Sequence, residues 1–100
     1  MMKFEWTSSA TVSPDVLIQE FDGESVLLNL ASGQYVGLDE LGTRIWQLIQ
    51  TGSSFSGIAQ QLLSEYEVSE SELRKDIDLF VNQLIQSDLI QLRESPETPN

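Results

Sequence analysis

The hydrophobic pattern of residues 26–49 changes its period midway, and this change constrains the fold more than any other feature. Before Asp39, apolar residues recur with the period of two that strands show, around the small turn at 31–33. After Asp39, the apolar residues Leu41, Ile45, Leu48 and Ile49 recur at helical spacing. Asp39 is also a residue type that caps helix N-termini. We therefore predict a strand that leads directly into a helix and lies at a sheet edge.

Two turn signals predict a three-stranded antiparallel meander. Asp22-Gly23 lies between the β-rich runs 16–21 and 25–30, and Asp-Gly between apolar runs is a strong hairpin signal. Gly33 can take a positive φ in a second tight loop, after which residues 34–38 form the third strand. Consecutive hairpins place the second strand in the middle.

Three helices are predicted to follow the meander. The first spans about 41–51 and ends at Gly52, and the second spans about 55–66. The third begins at the capping box Ser69-Glu70-Ser71-Glu72 and continues to about residue 87. Residues 89–92 form either a closing strand or a helical extension. The predicted fold class is α+β, with a loose arm over 1–15 that can add one short strand, one domain over 16–92 and a disordered tail over 93–100.

Composition narrows the function classes. The sequence has no histidine and no cysteine, which excludes thiolate chemistry and the commonest zinc ligand and general base. We expect no catalytic residue, no metal ligand and no cofactor. The formal net charge of −11 opposes binding to nucleic acid or to an anionic membrane. With no apolar run of membrane-spanning length and no signal-like start, we expect a soluble cytoplasmic protein.

An ordered series of motifs resembles the PqqD-like family. The series is Leu30-x-x-Gly33-x-Tyr35-x-x-Leu38, then Gly42-x-x-Ile45-Trp46 on a helix, then a capped helix reaching Asp76, and a final Leu89. The resemblance implies a winged-helix-like, non-enzymatic domain that binds the leader segment of a ribosomally made precursor peptide. It further implies a separate maturation enzyme as partner, either a radical SAM enzyme, as in pyrroloquinoline quinone biosynthesis, or a leader peptidase or cyclase, as in lasso peptide pathways.

The resemblance also implies a binding site, in which the leader adds as a strand to the third strand and rests against the third helix. The expected peptide-binding residues are Gln34, Tyr35, Val36, Gly37, Leu38, Arg74, Lys75, Asp78 and Val81. An unpaired strand edge suits such strand addition in its own right.

Several of these residues also have an ordinary structural interpretation. Gly37 could make room for a bulky residue such as Trp46, or mark a bulge. Arg74 could simply pair with Glu70 on a solvated face. One departure from the family pattern stands before the final leucine, where Asp88 replaces the usual glycine, so the exit from the third helix could differ.

Two other functions are compatible with the sequence. A winged-helix DNA-binding regulator would use the third helix as its recognition helix, although this helix carries more acids than bases. A subunit that docks on an enzyme without binding peptide would use the surface near Trp46 or the C-terminal apolar residues.

Overall fold

The computed structural model describes residues 4–93, which form five strands and three helices. In chain order these are β1 (Ser9–Val12), β2 (Val16–Phe21), β3 (Glu24–Asn29), β4 (Tyr35–Leu38), α1 (Glu40–Gln50), α2 (Phe55–Glu65), α3 (Glu70–Gln86) and β5 (Ile90–Arg93). The predicted α+β class, with a three-stranded meander followed by three helices, is confirmed.

The meander has the strand order β2-β3-β4, with both pairs antiparallel. Asp22 and Gly23 both have positive φ, 54° and 81°, as a type I′ hairpin turn requires. Gly33, at φ 78°, closes the second hairpin. The third strand therefore ends the sheet, and β4 lies at an edge.

A second sheet joins the two ends of the domain. Strands β1 and β5 pair antiparallel, with Val12 opposite Ile90, so residues 90–93 form a strand and not a helical extension. Strand β1 is the short strand that the predicted N-terminal arm could add. The domain boundaries remain a prediction, and residues 94–100 of the predicted tail lie outside the described residues.

The segment before β1 packs on the start of α2. The carbonyls of Trp6 and Ser8 accept hydrogen bonds from the N–H groups of Ser56 and Phe55, at 2.8 and 2.9 Å. These two donors belong to the first turn of α2, where no intrahelical partner exists. The ring of Phe4 also lies 4.5 Å from that of Phe55.

Each helix begins after a capping side chain, and Asp39 and Ser69 are the caps predicted from the sequence. The side chains of Asp39, Ser54 and Ser69 accept hydrogen bonds from the backbone N–H three residues later, which satisfies one orphan donor per helix. The helices pack around a core that includes Trp46, only 1% exposed. The inner face of the meander contributes Leu27 and Leu38 to this core.

The exit from α3 keeps its turn geometry although an aspartate stands where the family has glycine. Asp88 takes a φ of 57°, its N–H donates to Ile85, and the N–H of Leu89 donates to Leu84. These two bonds define a Schellman motif with the left-handed residue at C′. A residue with a Cβ therefore occupies a conformation that favours glycine.

Candidate functional site

The hydrogen-bond phase of β4 decides which of its backbone groups are free. The N–H of Asn29 donates to the carbonyl of Gln34 at 2.8 Å, and the register continues from that pair to Leu28 opposite Tyr35 and Leu27 opposite Val36. Bonded and non-bonded pairs alternate along an antiparallel ladder. Val36 therefore bonds to β3, whereas the N–H and C=O of Tyr35 point to the open edge.

The same alternation turns the N–H and C=O of Gly37 toward the open edge. A Cβ placed on Gly37 would meet nothing within 4 Å, so this glycine does not make room for Trp46, and the register shows no bulge here. Its bare backbone leaves the edge accessible beside Tyr35. Two residues of β4 thus offer two donors and two acceptors to an incoming strand.

Helix α3 contacts residues that lie next to the two ends of β4. At the C-terminal end of β4, the ring of Phe80 lies 3.4 Å from the Cβ position of Gly42. At the other end, Asn29 donates from Nδ2 to the carbonyl of Ser87 at 3.2 Å. Residues 76–87 of a helix and residues 34–39 of a strand both extend about 16 Å, so the two elements match in length.

A cavity of about 270 Å³ opens where β4 ends, between α1 and α3. Its lining consists of Asp39, Leu41, Gly42, Ile45, Asp76 and Phe80. Apolar side chains dominate this set, with a carboxylate on each side. The cavity can receive one apolar side chain of an extended peptide, with a cationic or polar neighbour near the carboxylates.

The α3 residues expected from the sequence lie away from this cavity. Arg74 and Asp76 are about 160° apart around the helix axis, so the side of α3 that faces α1 carries Asp76 and not Arg74. Val81 is fully buried in the core and offers a peptide no surface. Lys75 is exposed, about 100° beyond Arg74 and farther from the core.

Arg74 has two partners on the opposite flank of α3. Its guanidinium stacks 4.5 Å from the ring centre of Trp6, and its Nε donates to Glu70 at 2.9 Å. The i,i+4 pair anticipated from the sequence is therefore present. Asp78, one turn later, accepts hydrogen bonds from Asn82 at its carboxylate and its carbonyl.

The peptide-binding residues expected from the sequence do not include Asp76 and Phe80, which line the cavity beside β4. Phe80 belongs to the apolar stripe of α3, but it is only partly buried. Its position at the border of the stripe is the signal that could have indicated a flank facing a neighbouring groove.

A second ion pair among the described residues joins α1 to α2. Arg44 binds Glu65 through two hydrogen bonds of 2.9 and 2.7 Å, and together with Gln61 it lowers the pKa of Glu65 to about 2. This pair lies between α1 and α2, away from the cavity. Among residues 4–93 no three acidic side chains are grouped to hold a metal ion, and none of the described helices has the length and apolarity to cross a bilayer.

Comparisons with known proteins agree with this architecture. Two solved structures match with TM-scores of 0.75: "TbiB1 in Complex with the TbiA(beta) Leader Peptide", 34% identical over 80% of this chain and 93% of that chain, and "Lasso peptide synthetase B1 complexed with the leader peptide", 30% identical over 83% and 98%. No curated protein matches. The sequence model of the family "Coenzyme PQQ synthesis protein D (PqqD)" matches residues 24–90, and the chain therefore belongs to the PqqD family.

Proposed function

We propose that this chain is a leader-peptide recognition module. It binds the leader segment of a ribosomally made precursor peptide as an extra strand on the open edge of β4, along the groove toward α3. One observation carries the proposal: Tyr35 and Gly37 direct free backbone donors and acceptors to the open edge of β4, and a cavity between α1 and α3 opens where that strand ends. Two structural relatives, each at least 30% identical, are complexes with leader peptides, which supports this function.

Backbone pairing alone does not account for useful affinity. Two donors and two acceptors allow four hydrogen bonds, at a net gain of about 1 kcal/mol each. Micromolar binding requires about 8 kcal/mol, after the cost of ordering the peptide. The remainder must come from side chains buried in the groove. Leu41 and Phe80 supply apolar surface for an anchor residue.

The peptide is then presented to a separate maturation enzyme. One of the two relatives is named lasso peptide synthetase B1, which favours a partner of the leader peptidase or cyclase type over a radical SAM enzyme. The chain itself performs no chemistry in this scheme, since its sequence has neither histidine nor cysteine. We propose that the leader is presented to this enzyme in the cytoplasm, where ribosomal precursors are made.

The DNA-binding alternative finds no support. A recognition helix needs an exposed basic face, but Arg74 of α3 is engaged by Trp6 and Glu70. The same helix exposes Asp76 and Glu72. Phosphate backbones would be repelled along most of its length.

A titration followed by NMR tests the proposal. A synthetic leader from the precursor encoded beside this chain is added to the ¹⁵N-labelled protein, with a scrambled peptide as control. We expect the largest shifts at Tyr35, Gly37 and the α3 flank around Asp76 and Phe80, with saturable binding of the leader only. Equal binding of the scrambled peptide, or shifts confined to the Arg74 flank, would contradict the proposed site.

A further inference from the structure

The outer face of the meander carries an apolar surface that the proposed function does not use. The register aligns Leu17, Leu28 and Tyr35 in one row across β2, β3 and β4. A second row consists of Gln19, Val26 and Gly37. Because side chains alternate between the faces of a strand, both rows point away from the core.

This outer face has no cover among residues 4–93. Leu17 is 55% exposed and Tyr35 is 73% exposed. A shallow depression of about 260 Å³ lies between them, and its lining is Leu17, Ile18, Gln19, Val26, Leu28 and Tyr35. Large apolar side chains grouped in this way on a small domain are typical of an interaction surface.

The surroundings of the depression indicate the chemistry of its occupant. The register places Glu24 on this face and Asp22 in the adjoining turn, whereas Glu20 alternates to the inner face; residues 16–38 include no lysine or arginine. An anionic membrane or a nucleic acid would meet repulsion here. A protein surface with apolar side chains at its centre and basic residues around them would be complementary in both respects.

The outer face also adjoins the open edge of β4, to which we propose that the leader binds. Tyr35 belongs to both, since its backbone faces the open edge while its side chain lies in the outer row. A strand added to β4 extends each row by one residue. Beside Gly37, where no side chain intervenes, an outward residue of the leader would lie next to Val26. A protein bound to this face would therefore contact both the recognition module and its leader peptide.

We propose that this outer face is the docking surface for the maturation enzyme that receives the leader. The proposal rests on the proposed function, because the enzyme must meet a chain that already holds its peptide. Leu17, Val26 and Leu28 would form the apolar centre of the contact. Glu24, with Asp22 in the adjoining turn, would orient a basic rim on the enzyme.

A charge placed in the apolar row tests the proposal. Leu17→Arg introduces a base into the surface, and Val68→Arg is the matched control, since Val68 is also exposed, at 43%, but lies in the α2–α3 loop. Three quantities are measured for each: thermal unfolding, leader affinity by fluorescence anisotropy, and the rate at which the enzyme encoded with the precursor processes it. We expect Leu17→Arg to lower processing about tenfold or more, with leader affinity changed less than about twofold and the fold intact, and Val68→Arg to behave as the parent chain.

The outcomes that would contradict the proposal can be distinguished from one another. Processing by Leu17→Arg at the rate of the control would overturn the docking surface while leaving leader recognition intact. An equal loss of leader affinity and processing would assign the face to the peptide instead. A parent dimer in sedimentation that Leu17→Arg dissociates would assign it to a second copy. If the parent chain bound no leader, the proposed function itself would fail.

Discussion

Proline at Tyr35 or at Val36 removes one backbone N–H from β4, and these two N–H groups point in opposite directions. The N–H of Val36 bonds to Leu27 in the ladder, whereas that of Tyr35 faces the open edge. Proline is tolerated on the solvent side of an edge strand and not where the ladder needs a donor. The two variants should therefore separate folding from binding.

The expected magnitudes follow from what each change leaves unpaired. Leu27 is fully buried, so Val36→Pro deprives its carbonyl of a partner and should cost about 3 kcal/mol of the free energy of unfolding. For a domain of this size that corresponds to a fall in Tm of roughly 12 to 24 °C. Tyr35→Pro should leave Tm within a few degrees and weaken leader binding about tenfold.

Thermal unfolding followed by circular dichroism and a fluorescence anisotropy titration with labelled leader give both quantities. Tyr35→Ala is the matched control, because it removes the phenol ring while keeping the N–H. The effect of interest is the difference in affinity between Tyr35→Pro and Tyr35→Ala. If these two variants bound leader equally, or if Val36→Pro unfolded at the parent temperature, the assignment of the open edge would be refuted.

Three further predictions concern the exit of α3, its N-terminal flank and the ion pair between α1 and α2. Asp88→Gly should stabilise the fold by about 1 kcal/mol in urea unfolding, because glycine takes the left-handed conformation without strain; unchanged stability would mean that the aspartate is unstrained. Arg74→Ala should cost roughly 1 kcal/mol through the lost stacking on Trp6 while leaving leader affinity unchanged, and a tenfold loss of affinity would return this base to the binding site. Arg44 lowers the pKa of Glu65 to about 2. The stability that the ion pair adds to the fold is therefore present above the ordinary carboxyl pKa of about 4.5 and is lost as the pH falls toward 2. Glu65→Gln should make stability less dependent on pH in that window, by a small amount because the pair is largely solvated.

Local signals in the sequence predicted most of the secondary structure. The hairpin at Asp22-Gly23, the helix starts at Asp39 and Ser69, and the end of α1 at Gly52 all depend on hydrogen bonds or dihedral angles within about five residues. Such interactions are set by residue type and spacing alone. The ordered motifs also indicated the family.

The arrangement of the candidate site depends on contacts between elements, which no local sequence pattern contains. Periodicity identifies the buried stripe of α3, but it does not say which flank of the stripe meets a neighbour, so it cannot distinguish the Arg74 flank from the flank of Asp76 and Phe80 that borders the cavity. The free backbone groups of β4 depend likewise on the hydrogen-bond phase set at Asn29 and Gln34, because an edge strand with the same side-chain alternation can pair in either phase. Sequence by itself determined the elements and their faces toward the core. Only the tertiary packing decided which remaining surfaces lie together, since that depends on contacts between residues far apart in the chain.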